Sequence, residues 1–158
     1  MGQPPVVRDV MTKNPITIDP DAPLETAAAV MQQREIRHLP VLDATGKLIG
    51  VITDRDLRTA LLAPALVEYL PREAQGRFRR LAEAIANLRV RDVMTWDTAT
   101  IWPDAALAQA AAFMFDRRLG CLPVVEQGRL VGIVTERDVL KALAATLPTV
   151  RGVDAAFW

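Results

Sequence analysis

The chain has 158 residues, a formal net charge of zero and 51% hydrophobic residues, enough apolar side chain for a real core and too much for a disordered chain. Balanced charge offers no field to draw nucleic acid or an anionic membrane. A single cysteine, Cys121, rules out an intrachain disulfide framework and suits a reducing cytosol.

No apolar run of about 18 residues is present, and the N-terminus lacks an apolar signal core. Val6 stands where a myristoylation signal needs Ser or Thr. A soluble, cytoplasmic protein with no membrane or nucleic-acid partner is expected.

Residues 2–5 read as a loose arm. VRDVMT at 7–12 returns unchanged at 90–95, and the residues after each copy agree in order and spacing. After the first copy come Pro20, Asp21, Leu24, Ala27, Met31 and Arg34, then LPVLD at 39–43 and GVITDRDL at 50–57. After the second come Pro103, Asp104, Leu107, Ala110, Met114 and Arg117, then LPVVE at 122–126 and GIVTERDV at 132–139. One residue drops out between the loops 44–46 and 127–128. This is an internal duplication, and it governs the fold.

In the first copy, the β-branched run 16–18 predicts a brief strand stopped by Asp19-Pro20. Asp21 or Pro23 then opens a helix, with Leu24, Ala27, Ala28 and Met31 as one buried stripe. Residues 39–43 and 48–53 predict a hairpin around Ala-Thr-Gly. Asp54 caps a helix carrying Leu57, Ala60 and Leu61. The order is β-α-β-β-α. The second copy repeats it with a strand at Thr100-Ile101, a stripe of Leu107, Ala110, Ala111 and Met114, a hairpin around Gln127-Gly128, and a last helix through Val139, Leu140 and Leu143. Neither copy of about 50 residues can bury enough surface alone, so the two must pack together.

Between them, Pro64 and Pro71 bracket a short apolar segment, and residues 72–88 predict a linker helix with a basic face. The tail after Pro148 ends in Phe157-Trp158.

Catalysis has little to stand on. His38 and Cys121 are the only residues of their types, they hold equivalent positions, and no third group stands ready to orient such a couple. Cys121 reads as a small buried hydrophobe. No HExxH, CxxC or Walker-type loop appears.

A binding site has better support. Each copy ends a strand in Gly-(Val/Ile)-(Ile/Val)-Thr followed by acid-Arg-Asp at a helix start. Thr with free N–H groups suits an anion, and an Asp one turn in can accept from a ribose diol. The structural alternative is that Thr53 and Thr135 merely cap helices while Asp56 and Asp138 pair with Arg55 and Arg137.

VxDVMT, the LPVx(D/E) strand and GhhTxRD, each present twice and in order, resemble a tandem pair of CBS domains, the Bateman module. The chain is similar to stand-alone bacterial CBS pairs of the acetoin-utilisation type. The resemblance implies an α+β fold of two pseudo-symmetric β-α-β-β-α repeats, at 7–62 and 90–145, with a helical linker at 63–89. It further implies two clefts for adenosine-containing ligands such as AMP, ADP, ATP or S-adenosylmethionine. One cleft joins Thr135, Arg137, Asp138 and Ile133 to Ile16, Arg37 and His38. The other joins Thr53, Arg55, Asp56 and Val51 to Ala99, Gly120 and Cys121. Thr meets phosphate, Asp the ribose, and the aliphatic residues the adenine.

Because Gly120-Cys121 replaces the basic pair Arg37-His38, the first cleft is expected to take the more phosphorylated ligand. As His38 charges, affinity there is expected to rise from pH 8 to pH 6. The function expected is regulatory: a nucleotide shifts the arrangement of the repeats and a separate partner reads it. No obligatory cofactor, no metal and no catalysis are implied. A homodimer is expected, packed through the Ala-rich stripes of the first helices. The rival reading is a structural pair that only dimerises, with empty clefts.

Overall fold

The computed structural model describes residues 4–65 and 87–146. The expected linker helix and the C-terminal tail therefore lie outside the described residues, apart from the linker's ends. In chain order the elements are α1 (Val7–Val10), β1 (Thr12–Lys13), α2 (Leu24–Arg34), β2 (His38–Leu42), β3 (Leu48–Thr53) and α3 (Asp54–Ala65), then α4 (Val90–Val93), β4 (Thr95–Trp96), α5 (Leu107–Arg117), β5 (Cys121–Glu126), β6 (Arg129–Thr135) and α6 (Glu136–Thr146). They form two three-stranded sheets, ordered β1-β6-β5 and β2-β3-β4.

The hairpins and the two longer helices of each repeat fall where the apolar periodicity places them, whereas the short helices α1 and α4 were not expected. Leu24, Ala27 and Met31 are buried on α2, as are Leu107, Ala110 and Met114 on α5. The brief strands differ. Residues 16–18 make only one parallel bridge, Ile18 to Val41, and the second copy makes only Ile101 to Val124. Pro15 has no N–H to give a ladder, and past Ile18 the Asp19 carboxylate accepts from the Asp21 N–H at 2.7 Å, turning the chain away.

The third strand of each sheet comes instead from the duplicated motif, and it crosses to the other repeat. Thr12 lies opposite Ile133 and Lys13 opposite Gly132, while Thr95 lies opposite Val51 and Trp96 opposite Gly50. The rest of the motif crosses with it. Val7 N–H donates to the Ala105 carbonyl at 2.9 Å and Val90 N–H to the Ala22 carbonyl at 3.0 Å. Val7 is buried among Leu107, Met114 and Leu122, and Val90 and Met94 among Leu24, Met31 and Leu39. Arg8 pairs with Asp104 and Glu126, and Arg91 pairs with Asp21. Four-residue helices such as α1 and α4 have no stability of their own. The other repeat's core holds them.

Two glycines make the exchange possible. A Cβ on Gly50 would stand 2.4 Å from the Thr95 carbonyl oxygen, and one on Gly132 would stand 2.5 Å from the Met11 sulfur. Only glycine lets the incoming strand approach so closely.

Candidate ligand site

Each hairpin delivers its last strand into a helix, and the junction is built by Thr-x-x-Asp. Thr53 N–H and Oγ1 donate to Asp56 Oδ2 at 2.9 and 2.7 Å, and Asp56 N–H donates back to Thr53 Oγ1 at 3.3 Å. Thr135 and Asp138 repeat this at 2.8, 2.7 and 3.4 Å. Thr53, not Asp54, therefore caps α3, in a reciprocal box. Both aspartates serve the cap through Oδ2 and bond threonine, not Arg55 or Arg137. Among the described residues Oδ1 of each has no partner and remains open to a ligand. The threonine hydroxyl already donates its one hydrogen bond to the carboxylate, so as arranged it is a poor donor to phosphate.

Between the repeats lies a cavity of about 310 Å³, at the lower end of the range for small-molecule sites. Arg37, His38, Val51, Thr53, Arg55 and Asp56 line it from the first repeat, and Thr95, Thr98, Arg118, Gly120 and Cys121 from the second. This grouping cuts across the two expected sets. Arg37 and His38 stand with Thr53, because the hairpin register places His38 directly opposite Thr53. Gly120 and Cys121 face them from the other repeat.

Ile16, Ile133, Thr135, Arg137, Asp138 and Ala99 do not line this cavity. Ile16 is exposed, Ile133 is buried against Val51 and Cys121, and Ala99 packs on the second core. The wall residues that sequence reasoning missed include Arg118, Thr95 and Thr98, and also Asp54, Arg58, Leu119 and Glu136. Thr95 arrives because β4 pairs with β3. Arg118 is the left-handed residue (φ 55°) that ends α5, and its one sequence signal is that the equivalent position of the first repeat is the oppositely charged Glu35.

Charge is concentrated here. Arg58 and Asp54 form an ion pair at 2.7 Å, but Arg37, Arg55 and Arg118 have no carboxylate partner among the described residues. Asp56 and Glu136 are the other acidic groups on the wall. His38 lies across from Gly120, where an added Cβ would come 2.9 Å from its Nε2. The small residue makes room for the imidazole. Burial, reinforced by Arg37, holds the His38 pKa below its usual 6.5, against opposing pulls from Glu136, Asp54 and Asp56. Burial also pushes the Cys121 thiol up to about 12, with Glu136 adding to it. Cys121 is thus a protonated wall residue and no nucleophile at neutral pH.

The depressed His38 moves the expected pH window downward. Its contribution to stability is present above pH 6.5 and is lost as pH falls below that value, because the unfolded chain then binds the proton more readily. Affinity for an anion should change little from pH 8 to pH 7 and rise only below about 6.5. His38→Gln should remove both effects in parallel pH series of melting and calorimetry.

The model of the CBS domain family matches residues 7–63 and 90–145. This chain belongs to the CBS domain family. As a CBS pair it is similar to a candidate acetoin utilization protein (AcuB) from Vibrio cholerae, with a TM-score of 0.69 and 30% identity over 89% of this chain and 91% of that one. It is also similar to the CBS domain pair of protein MJ0100, solved with 5′-methylthioadenosine and S-adenosyl-L-methionine, with a TM-score of 0.73 and 28% identity over 91% and 99% of the two chains. A third likeness is to CBSX2 in complex with AMP, with a TM-score of 0.69 and 25% identity over 89% and 96%. Two CBS proteins of this fold have thus been solved with adenosine compounds bound. Among the described residues of this one, no helix is long and apolar enough to cross a membrane.

Proposed function

We propose that this CBS pair is a non-catalytic, cytoplasmic regulatory module that binds an adenosine-containing ligand in the cavity between its repeats and signals occupancy to a partner. The observation that carries the reading is one cavity joining the open Oδ1 of Asp56, for a ribose diol, to three arginines that have no carboxylate partner among the described residues. The adenosine compounds bound by MJ0100 and CBSX2 supply the ligand class. Val51 and Cys121 provide an apolar wall for the base. Because both repeats line the cavity and exchange their opening motifs, a bound ligand bears on their relative position, which is what a partner can read.

A thermal-shift panel of adenosine compounds tests this. At 100 times its dissociation constant a ligand adds about 2.7 kcal/mol, or roughly 5–10 °C for a chain of this size. A flat panel would leave the structural reading, a pair that only dimerises.

Self-association is part of the proposal, but its surface is not the Ala-rich stripe, since Ala27 and Ala110 are fully buried in their own repeats. Phe113 and Phe115 on α5 and Leu140 and Leu143 on α6 are instead exposed, and a second copy covering them would form the homodimer. Light scattering at micromolar concentration should give twice the chain mass. A monomer there refutes it.

A further inference from the structure

We infer that Arg118 makes the cavity selective for phosphorylated adenosine over its uncharged and cationic derivatives, forming an anion site with Arg37 and Arg55. The inference rests on the adenosine reading above and deepens it.

Thr53 is a poor phosphate donor, because its hydroxyl already donates its hydrogen bond to Asp56. Phosphate must therefore find other donors, and the guanidinium groups are the ones at hand. They come from three places: Arg37 precedes β2, Arg55 sits in the first turn of α3, and Arg118 ends α5. The backbone fixes Arg118 in place, with its N–H on the Phe115 carbonyl at 3.3 Å and the next N–H, of Leu119, on the Met114 carbonyl at 2.9 Å.

This concentration of charge is not a by-product of the duplication. At the equivalent positions of the other copy, Arg37 becomes Gly120 and Arg118 becomes Glu35, and only Arg55 has a basic counterpart, Arg137. Guanidinium groups around one cavity, with no carboxylate partner among the described residues, repel each other, and an anion relieves that repulsion. The planar guanidinium also matches phosphate with two parallel hydrogen bonds. A sulfonium cation such as that of S-adenosylmethionine would add to the repulsion.

The test is calorimetric titration of the full chain with adenosine, AMP, ADP, ATP and S-adenosylmethionine, repeated on Arg118→Ala and Arg118→Lys. Wild-type affinity should rise from adenosine through AMP to ATP, with S-adenosylmethionine weaker than AMP. Arg118→Ala should lose about tenfold or more for the nucleotides and nothing for adenosine. Arg118→Lys should recover part of the loss, since an ammonium keeps the charge without the fork. Ligand-free Arg118→Ala should melt no lower than wild type, since removing one guanidinium relieves the repulsion, and Arg118→Lys should match wild type. Equal losses for adenosine and AMP, or S-adenosylmethionine binding as tightly as ATP, would overturn the inference. Should no adenosine compound bind wild type, the adenosine reading fails on its own. Inorganic triphosphate then decides the anion site: weaker binding in Arg118→Ala upholds it and unchanged binding overturns it.

Discussion

Gly50→Ala is expected to lower the melting temperature by about 3–10 °C, an overpacking cost of about 1–3 kcal/mol spread over a chain of this size. Gly132→Ala should cost clearly less. The two glycines are equivalent in the duplication, but their surroundings are not. At Gly50 the added Cβ meets the Thr95 carbonyl oxygen at 2.4 Å, a backbone atom that can retreat only if β4 leaves β3. At Gly132 the nearest atoms are the Met11 sulfur and Cγ at 2.5 and 3.1 Å, parts of a flexible side chain, and the Thr12 carbonyl stands off at 3.1 Å. Methionine can find another rotamer, whereas a carbonyl committed to a sheet cannot. Thr95 also lines the ligand cavity, so Gly50→Ala should weaken binding as well. Calorimetric melting of the two variants side by side checks this, and equal losses would contradict the difference in packing.

Asp56→Ala is expected to show two separable effects. Affinity for the adenosine ligand should fall by about 1.5–3 kcal/mol, the range for hydrogen bonds to a charged group. Stability should also fall, by about 1 kcal/mol, because the carboxylate closes the cap with Thr53. Asp138→Ala removes the same cap from α6 and should cost similar stability, while leaving binding in the cavity unaltered. Asp56→Asn retains an acceptor oxygen for Thr53 and should restore much of the stability without restoring the charge-assisted bonds to ribose. Melting and titration of the three variants separate the structural from the ligand-binding role of the aspartate.

The duplication made much of this molecule legible in advance. Stripes such as Leu24-Ala27-Met31 and the LPV and GhhT runs fall in buried helices and strands because apolar periodicity reports burial directly. The destination of VRDVMT was not legible. Local pattern shows that Val7 and Val90 are apolar, but two identical copies give no sign of which core each one enters. The exchange was hidden by the symmetry that revealed the fold. The β-branched run 16–18 looked like a strand because propensity was all there was to weigh, and Pro15 and the turn at Asp19 decided otherwise.

The site was legible in part. The motif singles out Thr53 and Asp56, yet the capping bond between them, which commits the threonine hydroxyl, depends on side-chain geometry that no motif spells out. The placement of Arg37 and His38 depended on the hairpin register, and Arg118 on a left-handed helix end, and neither leaves a motif.

The most direct test of the central claim is titration calorimetry of ATP into wild type, Asp56→Ala and Asp138→Ala. If the cavity walled by Thr53, Asp56 and the arginines is the ligand site, Asp56→Ala loses about tenfold or more in affinity while Asp138→Ala binds as wild type does. Loss confined to Asp138→Ala, or equal loss in both variants, would contradict the assignment of the ligand to this cavity.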